Sequence, residues 1–277
     1  MPELVSIVVN CYNGEKYLKK TLESIQRQKY ENWELIFWDN QSTDQSRTIF
    51  ESFNEPRFRY FYAEKHTALY EARTLACRKC NGEFIAFLDC DDWWYEDFLS
   101  ARESFFESQK YKFSYSKFHY FFEKSNKFQI HSKKELPNGK VYDSLSKDYL
   151  VAISSLVVKK DLLEKINFFN SEFNIIGDFE AVMKMSKTEE AYAIQKPLLC
   201  IRIHGKNFSD EHRKMFFKEF KKWYDCQKRD EFFTRNKIYF LKKLLHLYIV
   251  ALTPKFLKDL LKKKWVKYLL YLMIEFF

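Results

Sequence analysis

Four short apolar runs, spaced by helical repeats, govern what the first hundred residues can fold into. Positions 5–9, 33–38, 57–61 and 84–88 read as strands rich in β-branched or aromatic residues. Between them Leu18, Leu22 and Ile25 recur at i, i+4 and i+7, the mark of a one-sided helix. Ile49, Phe50 and Phe53 belong to a second helix that Ser42 or Thr43 is placed to cap, and 69–79 reads as a third, stopped near Gly82. Strand–helix alternation of this kind implies a parallel sheet with helices on both faces.

Several classes are excluded at once. The chain has 277 residues but only five glycines, at 14, 82, 139, 177 and 205. No Gly-x-Gly-x-x-Gly or Walker loop can be written from them, so the dinucleotide and P-loop readings fall. The composition, 46% hydrophobic and 31% charged, is globular rather than disordered. Charge is uneven: 213–277 carries 17 basic against 6 acidic residues, the remainder 30 against 32. A basic terminal quarter points to an anionic surface, phospholipid or nucleic acid, and no recognised nucleic-acid module accompanies it. The six cysteines show no secretory framework, and Cys77-x-x-Cys80 lacks a second ligand pair, so it reads as two buried thiols. Met-Pro-Glu-Leu-Val-Ser is not a secretory signal, and a reduced, cytoplasmic setting is expected.

Beyond residue 104 the pattern changes. The stretch 105–150 is aromatic and polar with weak periodicity and one clear turn at Pro137-Asn138-Gly139. Positions 153–158 are strand-like, 179–185 helical and 197–203 a late strand; after about 212 the pattern is helical, broken at Pro254.

In an open parallel sheet, ligands sit beyond the carboxyl ends of the strands. Here those ends carry Tyr12-Asn13, Asp39-Asn40 and Asp89-Cys90-Asp91-Asp92. A ring that stacks and an acid that accepts an N–H suit a nucleobase. Asp89 and Asp91, at i and i+2, face one side of an extended segment. Two such carboxylates make a hard oxygen site for Mn²⁺ or Mg²⁺ that keeps positions open for phosphates. Asp178, with Glu180 after it, opens the 179–185 helix as either a cap or a general base. Arg202 and His204 end the late strand on one side, where they could hold a diphosphate or add a metal ligand. An apolar strand ending in Asp-x-Asp also begins the haloacid-dehalogenase-type phosphatases, but Trp93 stands where that pattern expects Thr or Val.

Taken in order, these segments resemble glycosyltransferase family 2, the inverting enzymes with the GT-A fold. The matching residues are Ser6-Ile7-Val8-Val9-Asn10-Cys11-Tyr12-Asn13, Asp39-Asn40-Gln41-Ser42-Thr43-Asp44, Ala72-Arg73-Thr74, Gly82 through Asp92, Gly177-Asp178, and Arg202-Ile203-His204-Gly205-Lys206-Asn207-Phe208-Ser209. The resemblance implies a nucleotide-diphospho-sugar transferase fold, α/β with a mainly parallel central sheet. It implies that Tyr12, Asn13, Asp39, Arg73 and Asp89 bind the donor nucleotide, with UDP the first expectation. Asp91 and His204 would hold Mn²⁺ or Mg²⁺, Asp178 would be the catalytic base, and Trp94 and Arg202 would lie near the diphosphate or the acceptor.

The expected organisation is a catalytic domain over 1–212, with a nucleotide-binding half to 104 and an acceptor-side half from 105, and a helical tail over 213–277. In the tail, Phe256, Leu257, Leu260 and Leu261 share one side and Lys255, Lys258 and Lys262 the other, as in a helix lying in an anionic membrane interface. The expected activity is transfer of a sugar to a glycan or lipid-linked glycan at the inner membrane face, in cell-surface polysaccharide synthesis. The competing readings are a metal-dependent phosphohydrolase built on Asp89 and Asp91, and a membrane-surface binding protein without catalysis. The tail's partner is membrane or a second subunit, so oligomers stay open; nucleic acid is not expected.

Overall fold

The computed structural model describes residues 2–205 and 207–253. The chain divides into two compact units, Met1–Gly205 and Lys206–Phe277. The first begins β1 (Val5–Cys11), α1 (Glu15–Gln26), β2 (Trp33–Asp39), α2 (Ser46–Glu51), β3 (Phe58–Tyr62), α3 (Leu69–Cys77), β4 (Phe84–Phe87) and β5 (Trp93–Trp94). It continues with α4 (Glu103–Phe106), β6 (Tyr111–Phe122), β7 (Lys127–Ile130), α5 (Tyr142–Lys147), β8 (Val157–Lys159), α6 (Lys160–Lys165), α7 (Gly177–Thr188) and β9 (Glu190–Ile203).

One mixed sheet organises this unit, in the order β3-β2-β1-β4-β8-β6-β9-β5, with β7 hydrogen-bonded to β6. Strands β1 to β4 are mutually parallel, as the alternation requires; Ile7 sits between Leu35 and Ala86. From β4 outward the sheet turns mixed, because β8 joins antiparallel to both β4 and β6 while β9 runs parallel to β6. The apolar face of α1 supplies Leu18, Leu22 and Ile25 to a core that also holds Val5, Ile7, Leu35, Phe37 and Phe84. All four parallel strands therefore end at one edge, where the polar turns gather.

Three elements differ from the sequence expectation. The aromatic stretch contains the long strand β6, whose alternation of Phe113 and Tyr115 with Ser114 and Ser116 breaks at Ser116-Lys117, where its register against β9 shifts. The late strand begins earlier, at Glu190, and takes Pro197 at a register shift against β6, where a missing N–H is tolerated. The 153–158 run is a 3₁₀ turn, Ile153–Ser155, followed by the short β8. The cap of α2 also differs: Asp44 accepts the Ser46 N–H at 3.0 Å, while the Ser42 hydroxyl accepts the Asn13 N–H. Cys77 and Cys80 are buried free thiols, and burial pushes Cys80 up to about 12.

The second unit is helical throughout its described residues: α8 (Phe208–Glu211), α9 (Arg213–Gln227), α10 (Glu231–Arg235) and α11 (Lys237–Leu252). Asp230 caps α10 by accepting the Phe232 N–H at 2.9 Å. Trp223, Phe233 and Phe240 form its aromatic core, with ring centroids 5.4 and 4.5 Å apart along the series. Ile238, Leu241, Leu245, Tyr248 and Leu252 stay exposed, an apolar stripe at three- and four-residue spacing on α11. Among the described residues no helix is long and apolar enough to cross a membrane. The lysine-faced segment 255–264 and the apolar run 269–274 lie outside the described residues.

Candidate active site

The first corner is built where β1 and β2 end. Asn13 takes a left-handed backbone, φ +53°, so that its side-chain oxygen accepts the Thr43 N–H at 2.8 Å. That bond ties the two loops together and leaves the Tyr12 ring 53% exposed, edge-on to His66 at 4.4 Å. Asp39 is buried beneath, its oxygens accepting the Tyr60 hydroxyl at 2.6 Å and the Ser42 N–H at 2.7 Å. Each of these oxygens retains acceptor capacity for one more donor. Asn40, like Asp39, is a structural anchor: its side chain bonds the Thr67 carbonyl at 2.8 Å and the Thr67 N–H at 3.2 Å.

The second corner is acidic. Ligand oxygens of Asp89, Asp91 and Asp92 all lie within 4.8 Å of one another. Arg73, buried on α3, makes an ion pair with Asp89. Arg73 therefore acts through Asp89. Burial and the neighbouring Asp91 charge raise the Asp89 carboxyl, with Arg73 opposing them. Asp92 is pushed well above the carboxylate range by burial and both neighbours. Its oxygens accept the Ser154 hydroxyl at 2.7 Å and the Arg202 N–H at 3.0 Å, so both already serve the scaffold. Asp91 is half-buried, with one oxygen 3.0 Å from His204 Nε2. Arg202 Nε donates to the Asp91 carbonyl at 3.0 Å, so the expected i, i+2 pair from β9 does converge on Asp91.

These residues fit a divalent cation. The contact of an imidazole nitrogen with a carboxylate oxygen, beside a second acid whose charge only one guanidinium offsets, is a donor set of hard oxygens plus one imidazole, suited to Mn²⁺ or Mg²⁺. Asp91, His204 and the remaining oxygen of Asp89 would hold it; Asp92 would act as the buried brace.

The third corner is Asp178, at the second residue of α7. Its carboxylate accepts the Tyr70 hydroxyl at 2.8 Å. Burial raises its pKa, while Arg73 and the Tyr70 hydrogen bond pull it back. Gly177 is required by this contact: a Cβ there would sit 2.5 Å from the Tyr70 ring. The Tyr149 ring packs on Phe179 at 4.9 Å, and its hydroxyl is buried without a hydrogen-bond partner.

Trp94 is placed in the core at the edge of the acids. Its indole is buried, stacked on Phe98 at 3.8 Å, and donates to the Ser154 carbonyl at 2.8 Å. It holds the Ser154 turn beneath the acids. Residues missed in the sequence include Tyr70, Ser154 and His66. Tyr70 precedes Arg73 by three, which places both on one helix face and was a usable signal; the other two carry none.

Comparison with known proteins identifies the family and the fold. Residues 6–184 match the family model for glycosyl transferase family 2. A relative from Escherichia coli, UDP-Glc:alpha-D-GlcNAc-diphosphoundecaprenol beta-1,3-glucosyltransferase WfgD, is 29% identical over 222 residues, 80% of this chain and 84% of its own length. The putative teichuronic acid biosynthesis glycosyltransferase TuaG of Bacillus subtilis is 27% identical over 60% of this chain and 66% of its own. Among solved structures, S. aureus TarS 1-349 in complex with UDP aligns with a TM-score of 0.61 at 20% identity, over 78% of this chain and 65% of that one. The mannosyltransferase PcManGT from Pyrobaculum calidifontis, in complex with GDP-Man and Mn²⁺, gives 0.65 at 15% identity over 91% and 74%. At those identities the likeness shows the fold, GT-A. With residues 6–184, most of the chain, covered by the family model, this chain belongs to glycosyl transferase family 2 and is a glycosyltransferase.

Proposed function

We propose that the chain transfers a sugar from a UDP-sugar to a hydroxyl of a lipid-linked diphospho-sugar, with inversion at the anomeric carbon and a divalent cation at Asp91. The observation that carries this reading is Asp178: a half-buried carboxylate with a raised pKa, hydrogen-bonded to Tyr70 and facing the same Arg73 that pairs with Asp89. A base so placed can deprotonate an acceptor hydroxyl while the leaving diphosphate departs on the side of Asp91. The activity named for the E. coli relative, a β-1,3-glucosyl product from UDP-Glc, supports both the donor class and inversion.

In this reading Tyr12 stacks on the base, Asp39 accepts its N–H, and Asn13 keeps the two loops in register. Asp89, oriented by Arg73, reaches the ribose. A cation on Asp91, His204 and Asp89 supplies Lewis-acid stabilisation of the leaving diphosphate. Asp178 takes the acceptor proton, help of a kind that is worth about 10²–10⁴-fold. Catalysis belongs to the domain over 1–212, and the tail over 213–277 binds the anionic inner membrane face, a role that the exposed stripe of α11 supports.

The test is incubation with UDP-glucose, a synthetic diphospho-linked N-acetylglucosamine acceptor, and Mn²⁺ or Mg²⁺, followed by NMR of the product. A β-linked disaccharide, lost with EDTA and restored by metal, is expected. No transfer from any UDP-sugar, with phosphate released from simple esters, would replace this account with the phosphohydrolase. Lipid binding without either activity would leave a membrane-surface protein.

A further inference from the structure

Beside the acids, but outside the site as described, a groove of about 1020 Å³ runs along α1 and is lined by Lys16, Tyr17, Lys20, Trp93, Glu123 and Arg202 among others. Its upper end adjoins the reaction centre. Tyr17 donates to Glu123 at 2.9 Å and packs 5.1 Å from the His204 ring. Arg202, lining the groove, spans Tyr17 at 4.4 Å and Trp93 at 4.9 Å while bonding the Asp91 carbonyl.

The acids of this groove are largely occupied. Glu23 pairs with Arg27, Asp97 with Lys196, and Glu123 with Lys16. Lys20 is different: its ammonium lies 3.4 Å over the Trp93 ring, and among the described residues no carboxylate is paired with it. Burial and the nearby Arg202 charge lower its pKa, with Glu23 opposing them. Lys19 and Lys29, further along the same groove, also have no carboxylate partner among the described residues. The Trp93 face positions the ammonium beside a guanidinium, and two cations at the edge of a transfer site can make charge-assisted hydrogen bonds to an organic phosphate.

We infer that this groove binds the phosphate-bearing part of the acceptor, with Lys20 as its principal contact. The inference rests on the lipid-linked acceptor proposed above and names where that acceptor's diphosphate lies. It separates two diphosphates: the donor's at Asp91, the acceptor's along α1. It also gives Arg202 a double task, since the guanidinium that borders the groove fixes the backbone of Asp91.

The test is direct binding, independent of turnover. Calorimetric titration of farnesyl diphosphate into full-length protein saturated with UDP and Mg²⁺ reads the groove with the donor site filled; inorganic diphosphate in a parallel titration separates a lipid-borne phosphate from a free one. Wild type binds farnesyl diphosphate, Lys20→Gln binds it about tenfold more weakly, the loss expected for one charge-assisted contact, and Lys20→Arg retains most of the affinity. Inorganic diphosphate binding as tightly as the farnesyl compound would make this a free-phosphate site and overturn the acceptor assignment. Equal affinity in wild type and Lys20→Gln overturns the groove itself. In turnover assays Lys20→Gln raises the KM for a diphospho-linked acceptor but not for a phosphate-free alkyl glycoside, with kcat and the donor KM unchanged. An equal rise for both acceptors contradicts the inference. Failure of wild type to transfer sugar at all would refute the proposed activity, while the titration still decides the groove.

Discussion

The contact that places Asp178 can be broken with a single methyl group. In Gly177→Ala the new Cβ would meet three carbons of the Tyr70 ring at 2.5, 2.5 and 2.8 Å. Comfortable carbon contacts lie near ~3.5–4.0 Å, so ring or helix must give by about 1 Å. Tyr70 has little room: it is 3% exposed, and its hydroxyl lies 2.8 Å from Asp178 and 3.2 Å from the Ile175 carbonyl. Overpacking costs about 1–3 kcal/mol, and a lost hydrogen bond to a charged group about 1.5–3 kcal/mol. Together they lower Tm by roughly 5–20 °C for a chain this size. Thermal unfolding followed by circular dichroism reads the effect. Tyr70→Leu removes the clashing ring, so the double variant should lose less than the two singles added, by more than about 0.5 kcal/mol. A Gly177→Ala protein melting within about 2 °C of wild type, or strict additivity, would refute the steric argument.

Other perturbations probe the remaining corners. Tyr12→Ala should weaken UDP binding by about 1–3 kcal/mol, the worth of one base stack, measured by calorimetry. Asp91→Asn should abolish metal-dependent transfer while the fold, read by circular dichroism, survives. Folding stability carries its own pH signature at Asp178. The folded-state pKa is raised, so the folded protein holds the proton more tightly and this residue's contribution declines as pH rises from the unfolded value through the folded one. Asp178→Asn should therefore melt higher than wild type at pH 8, with the gap closing as pH falls; a lower Tm at pH 8 would contradict the burial argument.

Much of the fold was readable because its first half is built from simple periods. β1 to β4 are apolar runs bounded by turns, and their polar ends fell where an open sheet binds ligands. The Asp89, Asp91, Arg202 and His204 set was legible for the same reason: extended segments alternate, so i and i+2 residues share a side. β6 was not, because its alternation breaks at Ser116-Lys117, where the pairing with β9 shifts register. The core stacking of Trp94 on Phe98 was not legible, because an aromatic next to an acid cluster reads alike whether it faces a ligand or packs inward. Tyr70 and Ser154 act through contacts formed at sequence separations of 108 and 62 residues, which no local pattern records.

The central claim is that Asp178 removes the acceptor proton. Asp178→Asn keeps the shape of the side chain and the bond from Tyr70 but takes away the base. Steady-state kinetics beside UDP calorimetry tests it most directly: kcat should fall by about 10²–10⁴-fold with UDP affinity unchanged. Retention of most of the turnover would show that another group is the base.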